Sequence, residues 1–279
     1  MHCLRSIAAL VLACFTLGCA SSKPVAPSLP GQEFVASDGL RLRYTSLAKK
    51  GQGVNPSVQG TGLLFIHGWC GSREHFAGAM ERFAQTHPVA ALDLAGHGES
   101  ESGREVWSFE GLASDVAGVL DQLGWEDAIL IGHSLGGPLA VIAANAKPDK
   151  VSGVIAVNAL HDVARRPDRA SLEAALPLIK SDFRAYSQAV IEASVPRDRR
   201  DLRKRLSVDF EGQDLRVATA ILELYPDFDM AATLAACPVP VRAINGSDKT
   251  SRQDLNRRFD PDFEAVSYTH LTLPTIYSV

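Results

Sequence analysis

Near its amino terminus the chain has an uncharged apolar stretch, Ile7 to Leu17, but it is too short to favour crossing a bilayer. A strong charge of either sign is also missing. The formal net charge of -4 sets up no large field, which excludes nucleic acid and polybasic membrane attachment as partners. The one basic run, Arg197 to Arg205, is interleaved with Asp198 and Asp201 and reads as a solvated helix face. No internal repeat is visible, so a solenoid is excluded. Cysteine is sparse, at 5 residues, and Cys3 and Cys14 lie in the amino-terminal segment. The strand order argued below puts Cys70 beyond the carboxyl end of one strand and Cys237 before the amino end of another, so both are expected as free thiols.

What is present is an ordinary globular composition: 279 residues at 46% hydrophobic content can bury one large core, with room for an insertion. The amino terminus differs in kind. Arg5, the apolar stretch and Gly18-Cys19-Ala20-Ser21-Ser22 have the parts of a secretory signal. Thr16-Leu17-Gly18-Cys19 resembles a bacterial lipobox, which implies a lipid anchor on Cys19 and a periplasmic, outer-membrane-tethered protein; cleavage after Ala20 and secretion is the alternative. Ser21 to Gly31, with three prolines, reads as a tether.

The centre of the chain is Ile129 to Gly137, Ile-Leu-Ile-Gly-His-Ser-Leu-Gly-Gly. An apolar run breaks into Gly132-His133-Ser134-Leu135-Gly136 and leads into a helical pattern from Leu135 to Ala146. That context, a buried strand, a sharp turn and a helix, makes Ser134 the candidate nucleophile, with the glycines giving the strand and helix room to approach. His133 points elsewhere on such a turn and reads as structural.

Around this point apolar strands alternate with helices. Thr61 to His67, Pro88 to Leu94, Val151 to Val157 and Pro240 to Asn245 read as buried parallel strands. Gln32 to Val35 and Leu40 to Ser46 form an edge hairpin about Ser37-Asp38-Gly39. Ser72 and Ser108 are placed to cap helices and Gly124 to close one. The pattern predicts an α/β fold with a doubly wound, mostly parallel sheet and its site at the carboxyl ends of the strands.

Three motifs then occur in order: His67-Gly68-Trp69, Asp93 through Gly96-His97-Gly98 to Ser100, and Gly132-His133-Ser134-Leu135-Gly136. Together they resemble the α/β-hydrolases of the single-domain esterase, lipase and cofactor-free haloperoxidase type, over Gln32 to about Val266. The resemblance implies a core in two parts, 32–161 and 214–266, with a helical cap at 162–213; ahead of it the amino-terminal residues read as a signal at 1–19 and a tether at 20–31. It also implies a serine hydrolase that cleaves carboxylic esters through an acyl-enzyme on Ser134. The backbone N–H groups of Trp69 and Leu135 would form the oxyanion hole, and Asp248, after the strand ending at Asn245, would orient a histidine. Asp162 holds the variant position of that acid; His97 and His161 lie at the same end of the sheet but outside the chain order serine, acid, histidine. Serine at the elbow argues against dehalogenase or epoxide hydrolase chemistry. Neither a metal nor an organic cofactor is called for, and the expected partner is a small, mostly apolar ester-like substrate. Carbon–carbon hydrolysis, perhydrolysis, or ligand binding without turnover would use the same frame.

The histidine is the missing part. After Val266 the family places a glycine-rich turn bearing it, whereas this chain reads Ser267-Tyr268-Thr269-His270-Leu271-Thr272-Leu273-Pro274-Thr275. Back-translated with permitted codons, that segment matches the transposase adapter of sequencing libraries. The expectation is therefore that 267–279 is not native and that His270 is a poor substitute for the base.

Overall fold

A computed structural model describes residues 30–48, 60–246 and 252–268. The expected signal, Cys19 with its expected lipid, most of the expected tether, Asp248 and His270 lie outside them.

Eight strands form one sheet: β1 (Gln32–Val35), β2 (Arg41–Leu47), β3 (Gly62–Ile66), β4 (Val89–Leu92), β5 (Ala128–His133), β6 (Val151–Val157), β7 (Val241–Gly246) and β8 (Glu264–Tyr268). Their spatial order is β1-β2-β4-β3-β5-β6-β7-β8. The pairs β1/β2 and β2/β4 are antiparallel and the rest parallel. The order reverses about β3, and β5 leaves the middle of the sheet, where such folds place their sites.

Strands β3, β4 and β5 are buried along their whole length because helices cover both faces. One face packs on α1 (Ala77–Phe83), where Phe65 meets Phe76 and Phe83 at centroid distances of 5.1 and 6.0 Å. Each such aromatic contributes roughly 2–3 kcal/mol of transfer free energy when fully buried. The other face packs on α2 (Phe109–Leu123) and α3 (Gly136–Ala146). Ser108 accepts the Gly111 N–H to start α2, and Gly124, at φ 65°, ends it in the left-handed conformation. Ser72 stands at the start of a 3-10 turn, Arg73–Phe76, but its side chain makes no capping bond: Asp93 Oδ1 takes the Arg73 N–H instead, at 2.6 Å.

Between β6 and β7 the chain is helical: α4 (Arg169–Ser181), α5 (Phe183–Ser194), α6 (Arg200–Glu211), α7 (Leu215–Leu224) and α8 (Met230–Ala235). The α5–α6 pair has its own apolar cluster of Ile191, Val195, Leu202, Leu206 and Phe210, which also takes in Cys70 from the main domain. In α6 Leu202, Leu206 and Phe210 form one buried stripe, with Arg200, Lys204 and Arg205 exposed. Helix α7 joins the layers, with Val217 and Ile221 in the main core and Ala218 in the cap cluster. Cys70 is buried, Cys237 half-buried, and both are free. A last short helix, α9 (Gln253–Asn256), precedes β8, which continues two residues past Val266. Among the described residues no helix is long and apolar enough to cross a membrane.

Candidate active site

Ser134 follows the last residue of β5 and adopts φ 50°, a strained left-handed conformation for a residue with a side chain. Its N–H donates to Val157 O at 3.0 Å, and Gly137 N–H returns to Ser134 O at 3.0 Å, so the turn is fixed from both sides. The flanking glycines are sterically required. A Cβ on Gly132 would lie 2.0 Å from Gly136 O, and one on Gly136 would lie 2.2 Å from Ile66 O. Strand and helix therefore pass at backbone contact on either side of the half-buried serine.

The parallel pairing of β3 with β5 sets Ile66 opposite Gly132, which brings the turn after β3 beside Ser134. A Cβ on Gly68 would stand 3.1 Å from Ser134 Cβ. The next residue, Trp69, and the one after the serine, Leu135, both carry N–H groups that meet no acceptor among the described residues. Leu135 is fully buried, and a buried donor without an acceptor is costly. The position of the two groups, beside the serine, suits an oxygen of a bound molecule.

The turn after β4 is a separate knot. Asp93 is fully buried and accepts from the Arg73 backbone, from the Arg73 guanidinium and from the Glu99 N–H at 2.9 Å. Burial pushes its carboxyl up, and the facing Arg73 opposes that rise. A Cβ on Gly98, at φ 54°, would lie 2.3 Å from the Asp93 carboxyl, while Ser100 Oγ donates to Asp93 O at 2.7 Å. The motif from Asp93 to Ser100 is thus self-satisfied. A cleft of about 310 Å³ opens over this knot, between Arg73, Glu99 and the cap residues Asp209 and Gln213; Ser134 does not line it.

None of the histidines His67, His97 and His133 is placed as a base. Nδ1 of His67 donates to Gly68 O at 2.8 Å and Nε2 accepts the Leu94 N–H at 3.0 Å, so both nitrogens are used in holding two turns together. Burial lowers His97 to about 4 and His133 to about 3, and lowers His67 as well, leaving all three neutral. Asp162 and His161 sit on the loop after β6. Asp162 Oδ1 accepts the Ala164 N–H at 3.2 Å, a local turn bond, and His161 O accepts the Arg252 N–H. Strand β7 delivers the chain to the same end of the sheet at Gly246, two residues before Asp248, and β8 does so at Tyr268, opposite Gly246.

Two residues that sequence reasoning passed over hold the loop after β6. Asn245 and Asn256 are fully buried; Asn256 Oδ1 accepts from Val163 N at 3.0 Å and its amide donates to Leu160 O at 2.8 Å. They offset the strain of Asn158 (φ 48°) and Leu160 (φ 54°). The only sequence signal is an amide residue at a strand end and another on a helix, which is too common to single out. Among the described residues no group of three or more His, Cys, Asp or Glu side chains converges as a metal site.

Residues 62–262 match the family model for the alpha/beta hydrolase fold. The chain belongs to that family. Among curated proteins it is 35% identical over 126 residues to the dihydrolipoyllysine-residue acetyltransferase component of the acetoin cleaving system of Cupriavidus necator, covering 45% of this chain and 31% of that one. It is 32% identical over 124 residues to the 2-(acetamidomethylene)succinate hydrolase of Mesorhizobium japonicum, covering 44% and 45%. Each match thus spans less than half the length of the relative. Among solved structures the alpha/beta hydrolase fold recurs in the enol-lactonase of Burkholderia xenovorans, at TM-score 0.74 and 18% identity over 88% of this chain and 94% of that one. It recurs also in a bromoperoxidase of Bacillus anthracis, at TM-score 0.70 and 16% identity over 86% and 91%.

Proposed function

We propose that this alpha/beta hydrolase cleaves a carboxylic ester of a small, mostly apolar substrate through an acyl-enzyme on Ser134. The observation that carries the proposal is the pairing of a strained, half-buried serine with the two unengaged N–H groups of Trp69 and Leu135 beside it. Attack of Ser134 Oγ on the ester carbonyl forms a tetrahedral intermediate whose oxyanion those two donors receive; collapse expels the alcohol, and water then releases the acid. Each donor in such a site contributes about 3 kcal/mol to the transition state.

The proton of Ser134 needs a base, and Asp248 is the acid proposed to orient it. Both lie outside the described residues, but the topology supports where they belong: β7 and β8 end side by side at the serine end of the sheet. On the adapter reading the native histidine follows β8 where His270 stands here. Epoxide hydrolase 4 of Mus musculus is among the similar proteins, at 29% identity over 46% of this chain. The serine at this chain's elbow favours acyl transfer. The amino-terminal sequence supports export with a lipid on Cys19.

A fluorophosphonate probe tests the reading directly. In the protein carrying its native sequence after Val266 we expect stoichiometric labelling that maps to Ser134 and is lost in Ser134→Ala, with hydrolysis of short aryl esters lost in parallel. A folded protein with its native sequence after Val266 that takes up no probe at Ser134 would overturn it and favour ligand binding without turnover.

A further inference from the structure

Trp69 belongs to two parts of the molecule at once. Its backbone follows Gly68, where an added Cβ would stand 3.1 Å from Ser134 Cβ, while its indole reaches into the cap. The ring is set edge-on among cap aromatics, 6.0 Å from Phe183, 6.2 Å from Tyr186 and 5.6 Å from Phe210, at interplanar angles of 80 to 89°. Its Nε1–H donates to Ala218 O on α7 at 2.9 Å. The next residue, Cys70, is held at φ 55° with its side chain buried in the cap cluster. A third tie follows within the same turn: His75 Nε2 meets Asp209 Oδ2 of α6 at 2.8 Å, and the His75 ring packs so closely on Gly71 that a Cβ there would stand 2.9 Å from it. The segment from Gly68 to His75 is therefore fastened to the cap by a ring cluster, a buried thiol and a polar pair.

An indole has only two side-chain torsions, and here three rings meet it edge-on and its N–H is committed. A displacement of the cap larger than those torsions absorb must either strip the ring from its neighbours or pull the backbone of Trp69 with it. We propose that Trp69 is a positioning residue that couples the cap to the oxyanion site, so that its N–H is aimed beside Ser134 only while the cap is closed. The inference rests on the hydrolase reading for its catalytic consequence but not for the mechanical coupling itself. Its consequence is selective: a substrate that lets the cap seat on it completes the donor pair, and one that props the cap open meets Leu135 alone.

Amide hydrogen exchange on the full chain tests the coupling without reference to turnover. Phe210→Ala should loosen the cap, raising exchange at Val195 and Arg203 by about tenfold and at Gly71 and His75 by the same factor, while Leu112 to Leu120 of α2 stays unchanged. Faster exchange in the cap with Gly71 and His75 unmoved would overturn the proposal. Should Phe210→Ala unfold globally, the milder Phe183→Leu serves the same comparison.

The catalytic arm uses Trp69→Phe, which keeps a ring in the cluster but loses the bond to Ala218. Hydrolysis of an aryl ester should show kcat lower by about tenfold with KM within about twofold, a part of the loss expected for deleting one oxyanion donor. Phe109→Leu removes ring contacts with Tyr225 and Phe228 in the main core. It should leave both constants within about twofold. An unchanged kcat in Trp69→Phe, or an equal fall in Phe109→Leu, would count against coupling. Absence of Ser134 labelling in the protein with its native sequence after Val266 refutes the hydrolase reading instead and leaves the exchange result to stand by itself.

Discussion

Asn245 and Ala159 exchange two hydrogen bonds: the Ala159 N–H reaches Asn245 Oδ1 at 2.9 Å, and the Asn245 amide reaches Ala159 O at 3.0 Å. A fully buried side chain at the end of β7 thereby replaces the backbone partner that the loop after β6 lacks once the parallel ladder stops. That loop carries His161 and Asp162 toward the serine end of the sheet.

Replacing Asn245 with alanine leaves a buried donor and a buried acceptor unpaired, at roughly 1–3 kcal/mol for each. Urea unfolding of Asn245→Ala should show a loss of about 3 kcal/mol with an unchanged m-value. A loss below about 1 kcal/mol would mean that water enters and satisfies both groups.

The elbow glycines make a sharper case because the obstacle is backbone. Gly132→Ala puts a methyl group 2.0 Å from Gly136 O, and neither strand nor helix can retreat without opening the β3–β5 pairing. The expected cost is about 3 kcal/mol or more, with probe labelling of Ser134 abolished. Gly103→Ala is the control, since a Cβ there meets only Leu40 Cδ2 at 3.6 Å. Its stability should stay within about 0.5 kcal/mol of the parent.

Much of this frame is legible in the sequence because parallel strands buried on both faces must be continuous apolar runs. The runs 61–67, 88–94 and 151–157 and the Ser134 turn appear in the structure within two residues of where hydropathy alone sets them. The glycines at 132 and 136 are readable for the same reason, as only one residue type tolerates backbone contact. The buried clamps are not readable. Asn245, Asn256 and the Arg73–Asp93 pair work through partners tens of residues away, and no local pattern announces such a pairing. Trp69 shows the same limit: its place in a motif reveals the backbone role, while the indole's commitment to α7 depends on how a helix 149 positions later packs.

Stability should fall as pH drops below neutrality. His97 and His133 have folded values of about 4 and about 3, depressed by burial, against about 6.5 in an unfolded chain. The unfolded state therefore binds more protons between pH 6.5 and 4, so this stabilisation is complete above pH 6.5 and is lost on acidification. His97 alone accounts for a decline on the order of 3 kcal/mol across that window, at about 1.4 kcal/mol per pH unit. Urea midpoints measured at pH 7.5, 6.5, 5.5 and 4.5 should decline progressively, and His97→Gln should make the decline shallower. A flat profile would show that these rings accept protons in the folded state.

The origin of the base is open to one substitution. A serine nucleophile with its oxyanion donors but no general base retains roughly 1,000- to 10,000-fold acceleration over water, and a base in place adds several orders of magnitude more. If the tail after Val266 is adapter-coded, His270 takes no part, and His270→Ala should leave aryl-ester hydrolysis within about twofold of the parent, with a rate independent of any group titrating near pH 6.5. A fall of roughly 10,000-fold, with loss of a sigmoidal pH profile, would instead assign the base to His270. Grafting a glycine-histidine turn after Val266 separates the remaining causes. Recovery of fast, pH-dependent turnover would show that the elbow, the donors and Asp248 already stand in working geometry and that the proton acceptor alone is wanting.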